Sequence, residues 1–597
     1  MTLELLAVTF TPSTSAVGGS LTLSALVGLT PLLTFFILLA GFKLKALYAG
    51  LGALAVAITV AIVGFGMPTS LAGLATLQGI AFGLFPVMWI VVTAIWFYEL
   101  TVVSGRFEDL RRVFSVIGRG DMRVQAMLIA FCFGGMLEAL AGFGAPVAIT
   151  GAMLIALGMP PIRAAVAVLV ANTAPVAFGS MAIPITTAGN LTGIPATEIA
   201  SVVGRQTPVL AIFVPLLLLF LVDGKRGIKQ VWPIALVTGA AFALAQFWCS
   251  SHFSYELTDV VAALAGLAAA VAMLRFWQPT TPADQRSKVN VGGFASEAQP
   301  IEAPVLSTAG GGGDPLGSSG RPPGTPMSPV GGQETLGFSR IFMALFPYLL
   351  VVAVFGVAKL WTFGFDLPGW LTSTDRKVEW PGLYGNLLTA SGAPSSSPVY
   401  SLSWLSNPGT HLLICGVIVT IVYGVFTENG RFSLSAGQAA ATFVTTLIKM
   451  RLAIATVATV LGLSYVMNLS GQTVAIGTWL AGTGAVFAFF SPILGWLGVA
   501  VTGSDTSANA LFGKLQQAAG HTAGIDPTLL VAANTSGGVV GKLVSPQNLT
   551  IAATAVGQPG SEPILLHKVA GYSIAMLLIV CVLVYLQSTP VLSWMLP

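Results

Sequence analysis

The sequence predicts an all-α polytopic membrane protein with about 12 spans, two re-entrant hairpins and two broken helices. Three observations carry that expectation. The 597 residues are 55% hydrophobic and only 8% charged, whereas a soluble domain carries about 25% charged residues. The apolar runs are roughly 20 residues long, the length of a bilayer-crossing helix, not the alternating segments of about ten residues found in an outer-membrane barrel. One short pattern also occurs twice inside such runs. Ala171-Asn172-Thr173 and Ala533-Asn534-Thr535 are each followed, at identical spacings, by a glycine (Gly179, Gly541) and a proline (Pro184, Pro546).

Taken in order, 21–40 and 46–66 are the first two spans, with Lys43 and Lys45 between them. The third is 81–103, which Pro86 is expected to kink because proline removes a helix hydrogen bond. A basic loop follows, with Arg106, Arg111, Arg112, Arg119 and Arg123. The stretch near 124–158 is interrupted by Gly142-Phe143-Gly144-Ala145-Pro146, and the apolar part beyond is too short to span, so a re-entrant hairpin is expected. The first broken helix is 164–187; 207–222, 231–249 and 260–274 complete a first half ending at 276. Residues 277–338 are polar and rich in Gly, Pro and Ser, including Gly310-Gly311-Gly312-Gly313, and read as a disordered cytoplasmic linker.

The second half, 339–597, opens with spans at 341–360 and 411–426, separated by a Trp-, Ser- and Pro-rich segment expected at the membrane interface. The amphipathic stretch 433–448 is placed on the surface, and 452–469 spans. A second hairpin near 474–519 has its tip at Thr502-Gly503-Ser504-Asp505-Thr506; the second broken helix is 529–553 and the last span 569–586.

Placing the loop between the first two spans in the cytoplasm puts most of the 26 basic residues on that side, as the positive-inside rule requires. Both termini then lie outside. The two hairpins enter from opposite sides and the two broken helices run in opposite directions. That is an inverted-topology repeat, the architecture of a secondary transporter. A single register shift pairs Asn172 with Asn534, Thr173 with Thr535, Gly179 with Gly541 and Pro184 with Pro546, and also Gly158 with Gly520.

The composition narrows the chemistry. Cys132, Cys249, Cys415 and Cys581 all fall in apolar runs, so no disulfide is expected, and no Cys/His cluster suggests a metal. Residues 1–16 lack a basic region before their apolar stretch and do not read as a cleaved signal peptide. The net charge of +4 gives no reason to expect nucleic-acid binding. Gly538-x2-Gly541-Lys542 is only a fragment of a phosphate loop, so no nucleotide, other cofactor or enzymatic role is expected.

A helix carrying Asn, Thr, Gly and Pro at mid-membrane depth must satisfy its freed backbone groups with protein, water or ligand. Asn172, Thr173, Asn534, Thr535 and Ser536, with Gly144, Ser504 and Thr506 at the hairpin tips, are therefore candidates to bind a small substrate. Helix N-termini at such breaks favour a carboxylate. The plainer reading is that these polar residues only join helices. Duplication with the same Gly and Pro spacing favours function. Glu138, Asp505 and Lys542 are charges at membrane depth, where a functional role is the default. Glu138 and Asp505 are candidate proton carriers, and Lys542 a partner for a substrate carboxylate; a purely structural Lys–Asp pair is the alternative. Glu99 and Arg163 lie nearer the membrane surface.

The run Leu137-Glu138-Ala139-Leu140-Ala141-Gly142-Phe143-Gly144-Ala145-Pro146-Val147-Ala148-Ile149-Thr150 resembles the signature of the L-lactate permease family. So do Ala171-Asn172-Thr173-Ala174-Pro175 through Gly179, Gly503-Ser504-Asp505-Thr506-Ser507, and Asn534-Thr535-Ser536-Gly537-Gly538 through Lys542 to Ser545-Pro546-Gln547. The likeness falls in both halves and in order; the long segment 277–338 departs from a compact family pattern. The resemblance implies uptake of L-lactate, glycolate or another short 2-hydroxy monocarboxylate together with a proton across the bacterial inner membrane. Sodium coupling is a second reading, because carbonyls at unwound breaks also hold cations. A proton-translocating subunit of a membrane redox complex is a third, which explains the duplicated breaks poorly. A homo-oligomer is left open.

Overall fold

The computed structural model describes residues 9–42, 44–117, 120–142, 144–286, 337–360, 365–389, 393–395 and 397–597. Lys43, Arg119, Phe143 and residues 287–336 of the 277–338 linker lie outside the described residues. Among the described residues, 11 helices are long and apolar enough to cross a membrane, or 12 if the bent pair Pro161–Ala171 and Val176–Thr192 is one span.

The first two spans are Leu21–Leu39 and Ala46–Gly64. The third is longer than expected and runs Thr69–Val103. It is interrupted at Phe85 (φ −142°, ψ 125°), directly before Pro86, because the proline ring disfavours the α region for the residue preceding it. The basic loop contains a short amphipathic helix, Arg106–Ile117. Ala196–His252 is continuous over 57 residues; at 1.5 Å per residue that is about 85 Å, far more than a bilayer core of about 30 Å. It therefore doubles back at Asp223 and Gly224, the two residues with non-helical dihedrals. Gly204 meets Ser250 and Gly239 meets the Ile212 backbone, so its two arms are the expected spans 207–222 and 231–249.

In the second half, the stretch 433–448, expected as a separate surface segment, is instead the first part of one 34-residue helix, Ala436–Leu469. Its Ser435/Gln438 capping box starts the helix, and no glycine or proline after Gly437 interrupts it before the apolar part. The segment expected at the membrane interface forms a short helix, Leu367–Ser373, and an antiparallel pair of strands, Arg376–Glu379 with Val399–Leu402. It is tied to the spans where Tyr400 donates to the Phe85 carbonyl at 2.6 Å.

One charged cluster locks the base of the first hairpin. Arg123 is fully buried. Its guanidinium grips Asp121 (2.8 Å) and Asp223 (3.0 Å) and donates to Gln230 (2.7 Å) and the Thr280 carbonyl (3.1 Å). Residues 280–286 are thus fastened to the turn at 223–224, where Arg226 also pairs with Asp284. The Arg226 hydrogen bond holds the Asp284 carboxyl below its ordinary value, so this contact is present above that ordinary value and is lost as the pH falls. Arg123→Met is expected to cost about 3–5 kcal/mol by stranding buried carboxylates; thermal unfolding in detergent checks it.

Candidate functional site

Where the first hairpin is expected, the helix Gly134–Ala141 is followed after a tight turn by the helix Ala145–Ala156. Gly144 makes the turn at φ 87°, a left-handed conformation favoured by glycine. Glu138 sits one turn before the tip and is buried. Its carboxylate faces Gly179 and lies beside Gly142; a side chain at Gly179 would press on it.

The first broken helix opens where the motif places it. Pro161–Ala171 ends with Asn172 as its C-terminal cap, and a short 3-10 turn, Val176–Phe178, follows. The two parts are bent by 63°. Pro175 enforces the opening, since it supplies no N–H and Ala174 before it disfavours the α conformation. Ser180, Met181 and Ala182 then take left-handed dihedrals (φ 47°, 59° and 55°), each costing roughly 1–2 kcal/mol for an L-residue. Such strain persists only where packing over-determines it, and it clusters at functional sites. Thr173 bonds back to the Val170 carbonyl at 2.7 Å.

The second broken helix differs from expectation. Pro527–Gly541 passes through Asn534 and Thr535 without interruption, and the break falls later, at Lys542–Val544, before Pro546–Ala555 resumes. The reason is local. The position matching Pro175 is Gly537, which keeps its N–H, and Pro546 forces the break instead. Asn534 and Thr535 are satisfied by protein. Asn534 donates to Asn509 (2.8 Å), Asn509 donates to Thr535 (2.8 Å) and to the Pro184 carbonyl (3.0 Å), and Ser536 donates to Gln206 (2.6 Å).

Lys542 sits at this second break. Its ammonium pairs with Glu138 at 2.5 Å, while the other Glu138 oxygen accepts from Asn172 at 2.9 Å. One buried carboxylate therefore joins the first hairpin, the first break and the second break. Exposures of 3% for Glu138, 4% for Asn172 and 8% for Lys542 show that this triad is closed off. Asp505 begins the helix Asp505–Ala523 behind its cap Ser504, with Thr506 next to it. It faces Gly538, and neither of its buried oxygens has a hydrogen-bond partner among the described residues.

Sequence reasoning missed three contributors. Asn509 holds the second helix as described. Ser180 stands against Gly142 at the tip of the first hairpin. Gln246 donates both to the Ala174 carbonyl at the first break (3.1 Å) and to Asp259 (3.0 Å). None of the three belongs to a repeated motif, and Gln246 and Asp259 lie on helices without a mid-span break.

A bundle of membrane spans in which one buried carboxylate pairs with a lysine at one interrupted helix and accepts a hydrogen bond from the other defines a multi-pass integral membrane protein of the transport class. The chain matches the L-lactate permease family over residues 24–591 and belongs to it. It is 40% identical to the L-lactate permease of Bacillus subtilis, covering 98% of this chain and 100% of that protein. It is 38% identical to the glycolate permease GlcA of Escherichia coli, covering 96% of each. Among solved structures, MtrF of Neisseria gonorrhoeae, described within a class of antimetabolite efflux pumps, is similar at 12% identity and a TM-score of 0.42, covering 86% of this chain and 83% of that one.

Proposed function

We propose that this protein takes up L-lactate and related short 2-hydroxy monocarboxylates, glycolate among them, by proton symport across the bacterial inner membrane. The observation that carries the reading is the Lys542–Glu138–Asn172 triad. Lysine is the one cation of the triad, and it is neutralised by a carboxylate on the other half of the chain. An incoming substrate carboxylate takes the place of Glu138 on Lys542. Glu138, left without its cation in a low-dielectric site, then accepts a proton. Substrate and proton thus load together, and the buried charge stays balanced.

In this reading the halves 1–276 and 339–597 are inverted repeats joined by the 277–338 linker, with both termini outside. Two matching contacts support it. The Gly179–Thr192 helix after the first break packs on Asp505–Ala523 of the second hairpin, and Pro546–Ala555 after the second break packs on Ala145–Ala156 of the first. Each half therefore presses its post-break helix on the other half's hairpin arm. The N-termini following Gly144 and Ser504 offer N–H groups to the substrate, with Thr506 beside them and Thr173 next to Asn172. Asn534, Thr535 and Ser536 face the substrate in a state in which Asn509 and Gln206 have released them, and Asp505 is a second proton carrier.

The deciding experiment is uptake of labelled L-lactate into proteoliposomes under an imposed pH gradient or sodium gradient. Accumulation driven by pH is expected; accumulation that follows sodium alone overturns proton coupling. Glu138→Gln is expected to keep lactate counterflow while lowering pH-driven accumulation at least about tenfold, a barrier change of about 1.4 kcal/mol.

A further inference from the structure

The first break is tied to two buried carboxyls, to one directly and to the other through a glutamine. Asn172 donates to Glu138. On the same four-residue interruption, the Ala174 carbonyl accepts from Gln246, whose amide also donates to Asp259 Oδ1 at 3.0 Å. The Gln246 oxygen accepts from Thr207 at 3.3 Å, so its orientation is held. Asp259 is completely buried, and its Oδ2 has no hydrogen-bond partner among the described residues.

The two carboxyls differ in one respect. Glu138 has Lys542, whereas Asp259 forms no ion pair among the described residues; its helix, Thr258–Phe276, packs on the Gly134–Ala141 helix that carries Glu138. A carboxyl with one oxygen accepting a hydrogen bond and the other facing neither donor nor cation among the described residues has a place to carry a proton, on a helix packed against the one that bears Glu138.

We propose, building on the proton-symport reading, that Asp259 is the proton reservoir for Glu138, with Gln246 as the positioning residue that ties it to the first break. When the substrate carboxylate takes Lys542, the Asp259 O–H bond breaks and an O–H bond forms on Glu138. A hydronium proton from the outer solution then restores the Asp259 O–H bond when the emptied site next faces outside, and the proton on Glu138 leaves to the inner solution as Glu138 pairs with Lys542 again. Because Ala174 and Asn172 move with the same interruption, one motion of the break adjusts both ends of the transfer.

Asp259→Asn tests this, since asparagine has the shape of the neutral acid but holds no mobile proton. In proteoliposomes the variant is expected to exchange lactate at equal pH at close to the wild-type rate. Its lactate-coupled proton influx at neutral pH is expected to fall at least tenfold and to recover when the outer pH is lowered, because bulk protons then reach Glu138 without the reservoir. Wild-type proton influx at neutral pH overturns the proposal. So does a loss of exchange and influx that acid does not restore, which would mark Asp259 as structural. Gln246→Leu is expected to give the same acid-rescued defect, and an unaltered pH profile in that variant counts against its positioning role. If the wild-type protein itself ignores the pH gradient, proton symport falls and this inference with it, an outcome distinct from failure of Asp259→Asn alone.

Discussion

Lys542→Met is expected to abolish lactate uptake and to destabilise the protein by about 3–5 kcal/mol, the cost of leaving one member of a buried ion pair without its partner. Glu138 and Lys542 meet at 2.5 Å, and both are buried. Removing the ammonium leaves the Glu138 carboxylate with only the Asn172 amide. The double variant Glu138→Gln/Lys542→Met removes both charges and is expected to recover most of the stability, since the bare charge is gone. It is not expected to recover uptake, because no cation remains to receive a substrate carboxylate. Thermal unfolding in detergent, run beside uptake, separates the two effects. Wild-type stability in the single variant would mean that the pair contributes nothing to holding the halves together.

Gly537→Val is expected to destabilise the protein and to abolish uptake through packing alone. The helices Phe487–Thr502 and Pro527–Gly541 cross with backbone against backbone. A Cβ at Gly537 would overlap the Pro492 carbonyl, one at Gly495 the Asn534 carbonyl, and one at Gly541 the Trp496 carbonyl. Small residues are what permit such an approach between membrane helices. Carbonyls cannot swing aside as a flexible side chain does, so the helices must separate, and overpacking of this kind costs about 1–3 kcal/mol or more. Separation also displaces Lys542, which directly follows Gly541. Loss of folded protein and of uptake are both expected. Gly571→Ala is the control: nothing lies within 4 Å of the added Cβ, so its effect should stay within about 0.5 kcal/mol. Equal behaviour of the two variants would contradict the crossing geometry.

The spans were readable in the sequence because length and apolarity alone define them, and Asp223-Gly224 turns the 57-residue helix where the two expected spans meet. The first break was readable because Pro175 follows Asn172 and leaves the helix no alternative. The second, within the expected 529–553, opens at Lys542–Val544 and not at the Asn-Thr pair. Asn534-Thr535 repeats the letters of the first motif, but Gly537 replaces the proline, and Asn509 on another helix satisfies the polar side chains. That partner is known only once the chain has folded. The charge at the second break was legible as a lone lysine in an apolar run, and its possible partners were named as a substrate or Asp505. Pairing with Glu138 was not legible, since nothing local to either residue points to the other. The continuity of 433–448 with the span that follows was not legible, because an unbroken backbone into Leu469 leaves no local mark.

The Lys542–Glu138 pair joins residues 404 positions apart. At a synthesis rate of about 5–20 residues per second, the glutamate leaves the ribosome roughly 20–80 s before its lysine exists. Throughout that interval Glu138 has no Lys542 to meet, so this link between the two halves can form only after most of the chain has been made.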